Sequence, residues 1–216
     1  MTRRFRAVLF DLDGTLTPVR SVWQHLHEAL GLWDGEAEQH QQAYLAGTIS
    51  YEEFCARDAE HWKGRHVAEL KVIADRIPYR AQARDGVEAV RASGALAGVV
   101  STGLTLLADR VHTELGLAFT IANRLVARRG VLTGEVNVNV EHRRKGEAVE
   151  LFCRQFAVDP QEVISVGDSE GDISMFEKTG YSVAFNPNGH RTASAATLVH
   201  EGDSVLDLVS RLPIGG

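Results

Sequence analysis

Short apolar runs that end in polar residues constrain the fold of this chain more than any other feature. The first run, Ala7–Phe10, is followed directly by Asp11-Leu12-Asp13-Gly14-Thr15. Similar runs recur along the chain at Ala97–Val100, Val163–Val166 and Tyr181–Phe185. A short apolar run bounded by turn residues is typical of a buried parallel strand. Because helical patterns separate these runs, the sequence predicts an α/β fold built on a parallel sheet.

Helical periodicity predicts five helices that accompany these strands, at Val87–Ala92, Leu104–Leu115, Gly146–Phe156, Asp172–Lys178 and Ser204–Leu212. Two stretches depart from the alternation. From Ser21 to Ile77 the apolar residues follow helical spacing without a convincing strand, which predicts an inserted helical cap. Around Gly130, within Ala122–Val140, alternating residues predict a hairpin of antiparallel strands near the sheet edge. The predicted organisation is a core at 1–17 and 81–216 and a cap at 18–80.

Composition narrows the possible partners. The 216 residues are 44% hydrophobic, enough to bury a full core, and the net charge of −6 includes no basic stretch that would follow a nucleic acid. Cys55 and Cys153 lack the spacing of a zinc site or a disulfide framework. The N-terminal apolar run is too short for a signal peptide, and no run is long enough to span a membrane. We therefore expect a cytoplasmic protein without nucleic-acid or membrane partners, and leave monomer and homodimer open.

Polar residues follow the predicted strands at the point where each strand ends. The carboxyl ends of parallel strands meet at one edge of a sheet, so we expect these side chains to lie close together. The set comprises Asp11, Asp13, Ser101, Asp168 and Asp172, with Lys145 as a cation from a loop or a helix start.

Several carboxylates at one edge repel each other unless a cation binds among them. Oxygen ligands in an octahedral arrangement favour a hard ion, Mg²⁺, over a soft metal. We expect the carboxylates of Asp11 and Asp168 to bind it, with the backbone carbonyl of Asp13 as a third ligand. Asp172 is expected in a supporting role that orients Lys145.

A carboxylate beside a metal-bound phosphate can attack phosphorus and form an aspartyl-phosphate, which water then hydrolyses. Asp11 is the candidate nucleophile because it lies directly at the strand end. Asp13 is the candidate general acid, which would protonate the leaving alkoxide and later deprotonate water. Gly14 lets the backbone turn close to the phosphate.

The phosphate itself needs hydrogen-bond donors and positive charge. Ser101, together with the amides of Thr102 and Gly103, is expected to donate to phosphate oxygens at the start of the predicted helix Leu104–Leu115, where the helix dipole favours an anion. Lys145 would neutralise charge on the phosphoryl group and on the nucleophile. Such positioning and electrostatics are what phosphoryl transfer mainly requires.

These residues resemble a known family. The chain is similar to the four ordered motifs of the haloacid dehalogenase-like superfamily at Asp11-Leu12-Asp13-Gly14-Thr15, Ser101, Lys145 and Gly167-Asp168-Ser169-Glu170-Gly171-Asp172. It is more closely similar to phosphoserine phosphatases at Ile121-Ala122-Asn123-Arg124-Leu125, Leu132-Thr133-Gly134, Lys145-Gly146-Glu147 and Asp172-Ile173-Ser174-Met175-Phe176. The resemblance implies a Rossmann-like parallel sheet core with an inserted small helical cap, Mg²⁺ and an aspartyl-phosphate route.

The chain departs from phosphoserine phosphatases where they recognise substrate. Those enzymes hold the substrate amino group with a glutamate just after the first motif, and that position is Arg20 here. Their cap arginine for the substrate carboxylate aligns with Ala56, and Arg57 lies on a different helix face. Their asparagine before the last aspartate aligns with Gly171. An arginine near the leaving group favours an anionic substrate over an ammonium, so the sequence predicts a small phosphorylated metabolite other than phosphoserine.

Two other functions stay open on the sequence: a phosphotransferase or sugar-phosphate mutase of the same fold, and a catalytically silent protein that binds a phosphorylated ligand. The presence of every expected catalytic side chain favours the phosphatase. Trp23, Trp33 and Trp62 are interpreted as core residues rather than pocket residues. The nine histidines are interpreted as surface or core residues, since His61 and His66 lack the spacing of one helix face.

Overall fold

A seven-stranded sheet forms the centre of the molecule. The computed structural model describes residues 5–214, and the strands lie in the order β4-β3-β2-β1-β5-β6-β7. Their bounds are β1 Ala7–Phe10, β2 Leu96–Leu104, β3 Phe119–Arg128, β4 Val131–Asn137, β5 Val163–Gly167, β6 Tyr181–Phe185 and β7 Leu198–His200. All neighbouring strands are parallel except β3 and β4. The α/β fold with a parallel core sheet is therefore confirmed.

Helices cover both faces of this sheet and fill the segment between β1 and β2. They are α1 Val22–Ala29, α2 Glu38–Leu45, α3 Tyr51–Glu60, α4 Val67–Ala74, α5 Ala83–Ala92, α6 Thr105–Leu115, α7 Lys145–Phe156, α8 Ile173–Phe176, α9 His190–Ala195 and α10 Val205–Ser210. β1 lies in the middle of the sheet and is buried along its whole length, as its uninterrupted apolar sequence requires. No helix among residues 5–214 combines the length and the apolar character that crossing a membrane requires.

The predicted strands are all present, and the differences lie at edges and helix ends. The hairpin forms one edge of the sheet, where β3 pairs parallel with β2 and antiparallel with β4. At the other edge, β7 and the short helix α9 were not predicted, because three strand residues are too few to show alternation. Leu104 ends β2 instead of beginning a helix, and the helix predicted at Asp172–Lys178 is a 3₁₀ turn at Glu170–Asp172 followed by the four residues of α8.

The helical segment between β1 and β2, which corresponds to the predicted cap and is called the cap below, begins with a well-defined helix. Ser21 is the N-cap of α1, and its hydroxyl accepts a hydrogen bond from the Gln24 amide at 3.3 Å. Val22, Trp23 and Leu26 form the buried face of this helix. Its start therefore fixes the position of the loop that leaves the first motif.

The cap also has a backbone connection to the hairpin of the core. The Gly64 amide donates to the Leu132 carbonyl, the Leu132 amide donates to the Arg65 carbonyl, and the Val67 amide donates to the Gly130 carbonyl, each at 2.9 Å. This cap–hairpin ladder joins the turn before α4 to the β3–β4 turn and the start of β4. The helices between β1 and β2 are thus held to the core by hydrogen bonds separate from their two chain connections.

Candidate active site

A buried lysine and two aspartates form the centre of the site. Asp11 lies just after β1, where its amide donates to the Val166 carbonyl at 2.7 Å. Lys145, the first residue of α7, donates from Nζ to Asp11 Oδ1 at 2.5 Å and to Asp172 Oδ1 at 2.6 Å. All three side chains are almost fully buried. The structure therefore brings together three of the residues that the sequence singled out.

Burial and charge oppose each other at this centre. Burial raises the pKa of Asp11 above its ordinary value, and the neighbouring ammonium of Lys145 acts in the opposite direction. For Lys145, burial lowers the pKa, but the two carboxylates outweigh it and leave the pKa well above its ordinary value. The lysine is therefore a permanent positive charge, hydrogen-bonded to one oxygen of Asp11.

Asp13 lies beside this centre and lines the same pocket as Asp11 and Lys145. Its Oδ2 accepts a hydrogen bond from the Val22 amide at 2.9 Å, which couples the first motif to the first turn of α1. Its Oδ1 is buried without a hydrogen-bond partner among the described residues. Burial raises the pKa of Asp13 to about 6. A carboxyl group with this pKa can donate and accept a proton near neutral pH.

Asp168 and Asp172 come from the loop after β5. Asp172 Oδ2 accepts from the Asp168 amide at 3.0 Å and from the Ser169 amide at 2.9 Å, so this side chain holds the loop in shape and also orients Lys145. Burial, followed by the charge of Asp172, raises the pKa of Asp168 to about 7. Asp168 Oδ1 is buried without a partner in the described part of the chain.

Asp11, Asp168 and Asp172 each place a carboxylate oxygen within 4.8 Å of the other two, and within residues 5–214 they are the only such group of three. The oxygens of Asp172 already accept from Lys145 and from its own loop, which leaves Asp11 and Asp168 as the better ligands. Raised pKa values and an unpartnered buried carboxylate oxygen show that positive charge is needed here. The residues fit a hard divalent cation.

The last residues of β2 differ from the expectation in detail. Ser101 is buried, and its Oγ accepts a hydrogen bond from the Gly103 amide at 2.9 Å, so that amide already has a partner. α6 begins two residues after Gly103, at Thr105. A side chain on Gly103 would lie 2.8 Å from Asp13 Oδ2, so only glycine fits this close approach. The carbonyl of Thr102 accepts from the cap residues Trp23 and Tyr51 at 3.1 and 3.0 Å.

A pocket of about 340 Å³ opens onto these residues and continues into the cap. Asp11, Asp13, Thr102, Gly103 and Lys145 lie at its inner end. The cap contributes four aromatic side chains, four polar ones and one aliphatic one: Trp23, Tyr44, Tyr51, Phe54, Arg20, Ser21, Gln24, Gln41 and Leu45. Most of these residues could not be found from the sequence, because helical periodicity does not establish which helix faces meet the core. Trp23 and Trp62 stack at 5.5 Å and are buried, as expected for core residues, but Trp23 also lines the pocket.

Of the three cap residues compared above with phosphoserine phosphatases, one lines the pocket and two lie outside it. Arg20 lines the pocket, and its Nη1 lies 3.5 Å from Asp168 Oδ2, while most of its side chain is exposed. Ala56 lines a separate surface groove beside β4. Arg57 pairs with Glu53 at 2.5 Å on the surface of α3. Among the described residues of the cap, Arg20 is therefore the only arginine that lines the pocket.

A second group of titratable side chains lies inside the cap. The ring nitrogens of His27 and His40 lie 3.6 and 3.7 Å from different oxygens of Asp58. The His61 ring lies edge-on to His27 at 5.5 Å and is tilted against His40 at 5.4 Å. His27 and Asp58 are fully buried. The donor atoms of this group do not converge to the spacing of the three carboxylates above. We interpret the group as part of the cap interior, which is one of the two roles that the sequence predicts for the histidines.

Comparisons with known proteins agree with this geometry. Residues 5–180 match the model of the haloacid dehalogenase-like hydrolases. A phosphoserine phosphatase of Archaeoglobus fulgidus is 31% identical over 185 residues, covering 85% of this chain and 53% of that protein, so the chain spans about half of that relative. A phosphoserine phosphatase of Methanocaldococcus jannaschii is 27% identical and is covered to 87%, with 86% of this chain.

The fold also matches solved structures. A phospho-aspartyl intermediate analogue of phosphoserine phosphatase superposes with a TM-score of 0.84 over 97% of this chain and 99% of that one, at 24% identity. At this identity the likeness concerns the fold. It extends over the helical segment between β1 and β2 as well as the sheet.

Proposed function

We propose that this chain, a member of the haloacid dehalogenase-like hydrolases, hydrolyses a small anionic phosphomonoester through an aspartyl-phosphate on Asp11. It is a phosphoric monoester hydrolase that resembles the phosphoserine phosphatases. The observation that carries this proposal is the contact of Lys145 with both Asp11 and Asp172 at the inner end of the pocket. This contact fixes one oxygen of the nucleophile and supplies a buried positive charge. Positioning and charge stabilisation are the main requirements of phosphoryl transfer.

The steps follow from where the carboxyl groups lie. Lys145 holds one oxygen of Asp11, and the other attacks phosphorus while the bond to the leaving oxygen breaks. Asp13, with a pKa of about 6, gives its proton to the leaving alkoxide. In the second half, ionised Asp13 takes a proton from water, which attacks the aspartyl-phosphate and releases inorganic phosphate. Ser101 donates its hydroxyl hydrogen to a phosphate oxygen, since its Oγ lone pair is used by Gly103.

Asp11 and Asp168, with the backbone carbonyl of Asp13, would hold Mg²⁺ in this proposal. When bound, the ion neutralises the carboxylates and the phosphate, which lets anionic partners approach. The unpartnered oxygen of Asp168 supports this assignment. The proposed cap comprises residues 18–80, and its opening and closing would admit and exclude water.

The leaving group is proposed to carry negative charge or hydrogen-bond acceptors. Arg20 lines the pocket, while the nearby aspartates are those of the catalytic centre, so no separate carboxylate of the described cap faces a substrate ammonium there. The aromatic rings of Tyr44, Tyr51 and Phe54 provide apolar contact for its carbon atoms. The two cysteines, Cys55 and Cys153, are buried and free, which agrees with the proposed reducing cytoplasm.

A panel of phosphomonoesters tests the function directly. We expect the purified chain with Mg²⁺ to release inorganic phosphate without an added acceptor, and more rapidly from esters with anionic leaving groups than from phosphoserine. Asp11→Asn should lower kcat by at least about a thousandfold, since it removes the nucleophile. Exposed Asp203→Asn is the matched control and should retain activity. Release that requires an acceptor alcohol would point to a phosphotransferase, and full activity of Asp11→Asn would refute the mechanism.

A further inference from the structure

His142 is in direct contact with Gly171, which lies in the loop that follows β5 and carries Asp168 and Asp172. A methyl group on Gly171 would lie 2.7 Å from Cδ2 and from Nε2 of His142, and 3.0 Å from the His142 carbonyl oxygen. Gly171 does not have a positive φ, so its backbone conformation is open to other residues. The missing side chain therefore makes room for the imidazole ring.

The ring of His142 lies where the core meets the cap. It lines the same pocket as Asp11 and Lys145, and its centroid is 5.9 Å from the Tyr44 ring and 6.4 Å from the Tyr51 ring. The contact with Gly171 places one edge of the ring against the loop that carries Asp168 and Asp172. The Cδ2–Nε2 edge therefore lies against this loop, and the ring lies between the loop and the two tyrosines of the cap.

The polar atoms of this ring are not used within the protein. His142 Nδ1 is buried without a hydrogen-bond partner among the described residues. Burial, followed by the charge of Lys145, lowers the pKa of His142, which keeps the imidazole neutral at pH 7. A neutral imidazole has one N–H donor and one acceptor, and a buried polar atom without a partner costs free energy. A ligand that hydrogen-bonds this ring would remove that cost.

We infer that His142, whose ring fills the space that Gly171 leaves free, contacts the substrate: its imidazole N–H donates a hydrogen bond to an oxygen of the phosphoryl group held at Asp11. This inference rests on the proposed function for the identity of the ligand. It adds to Ser101 and Lys145 a third phosphate contact, from the segment between β4 and α7. A histidine here and a glycine at 171 then form one unit, and neither can be exchanged alone without loss.

Variants that separate ring shape from hydrogen bonding test the contact. His142→Phe keeps an aromatic ring and removes the donor, and His142→Asn keeps a donor on a smaller side chain. A hydrogen bond to a charged group contributes about tenfold or more in affinity. We expect His142→Phe to weaken the binding of inorganic phosphate roughly tenfold, measured by calorimetry with Mg²⁺, and His142→Asn to recover part of the loss. Exposed His66→Phe is the matched control.

Steady-state kinetics distinguish the loss of a substrate contact from a general distortion of the site. With p-nitrophenyl phosphate, His142→Phe should raise KM roughly tenfold and change kcat less than about threefold, whereas a distorted site would lower kcat. Unchanged phosphate affinity in His142→Phe overturns the inference. The phosphate affinity is measured without turnover. A wild-type chain that binds phosphate but hydrolyses nothing would therefore refute the proposed function, and the affinity of His142→Phe would still test the contact of His142 with phosphate. A wild-type chain that binds no phosphate refutes both.

A double-mutant cycle tests the unit formed with Gly171. Gly171→Ala should weaken phosphate binding in the wild-type background, because the new methyl group displaces the ring. In the His142→Ala background the same change should have an effect of less than about twofold, since the space is then empty. Equal effects in both backgrounds would show that Gly171 is not there to accommodate His142.

Discussion

At Asp13 the fold places a half-buried carboxyl group at the pocket, and the only hydrogen bond it receives from the described residues comes from the Val22 amide. An ionised carboxylate in this position is destabilising, yet the proposed reaction needs it in both protonation states. The same burial that provides a general acid near neutral pH therefore lowers the stability of the folded chain. Stability and activity should separate when this residue is changed.

Asp13→Asn should make the metal-free protein more stable at high pH and inactive. The pKa of Asp13 is about 6 in the folded chain and 3.8 ordinarily, so the wild-type folded state loses stability as pH rises from about 4 to about 6. Asparagine has no such loss. We expect its advantage in urea unfolding with a chelator to be on the order of 2–3 kcal/mol at pH 8 and about half that at pH 5.

Asp203→Asn, at an exposed position, is the control for this experiment and should show the same stability as wild type at both pH values. The explanation would be wrong if the advantage of Asp13→Asn were independent of pH, or if the variant were less stable than wild type at pH 8.

Among the elements, the turn before α4 and the β3–β4 hairpin together connect the cap to the core through backbone hydrogen bonds. The ladder of Gly64, Arg65 and Val67 against Gly130 and Leu132 is made of backbone groups, which carry no signature in the side-chain pattern. It gives the cap a second region of contact with the core, in addition to the Thr102 carbonyl at the site. The hairpin thus connects the cap to the edge of the sheet.

Val67→Pro should weaken this ladder without disturbing α4. Val67 is the first residue of α4, where proline is tolerated, and His66 before it already has the extended backbone, φ −75° and ψ 136°, that a following proline requires. Only the bond from the Val67 amide to the Gly130 carbonyl is lost. We expect Val67→Pro to unfold with about 1 kcal/mol less free energy than Val67→Ala, with faster hydrogen exchange at Gly64 and Leu132.

Val67→Ala keeps the amide and is therefore the matched reference for side-chain loss. If the two variants had equal stability and equal exchange at Gly64 and Leu132, the ladder would not hold the cap to the hairpin.

How far the sequence predicts the elements depends on the kind of signal. The strands and the acidic residues at their ends could be predicted, because an apolar run followed by Asp11 or Asp168 has the same meaning in any parallel sheet. Tyr44, Tyr51 and His142 could not be assigned to the pocket, because that depends on how the cap is placed over the core. β7, the edge strand, was missed because its three residues are too few to show a period.

At the scale of the whole molecule, the acidic centre joins segments that are far apart in the chain. Asp11 follows β1, Lys145 begins α7, and Asp168 and Asp172 follow β5. The repulsion among the carboxylates opposes the association of these segments, and Lys145 offsets only part of it. A bound cation should therefore stabilise the entire core rather than a loop.

Mg²⁺ should raise the midpoint of thermal unfolding of the wild-type chain. At an Mg²⁺ concentration of about ten times Kd the stabilisation is about 1.4 kcal/mol, which corresponds to roughly 3–5 °C for a domain of this size. Asp168→Asn should remove most of this shift, and a chelator should reverse it. A shift of the same size in Asp168→Asn would show that Mg²⁺ binds elsewhere, and Asp203→Asn should respond as wild type does.

Apart from the hydrogen bonds at Asp13 and Thr102, the proposed cap is attached to the core at three places. The chain enters it after the first motif and leaves it near Arg80, whose amide donates to Leu16 and whose guanidinium donates to Gly14 at 2.6 Å. The ladder to the hairpin is the third place. A lid with two adjacent hinges swings as a whole, whereas one that is also fastened at a third point can only part along its free rim. Substrate would then enter through a slot between the proposed cap and the core, whose width would limit the size of the leaving group.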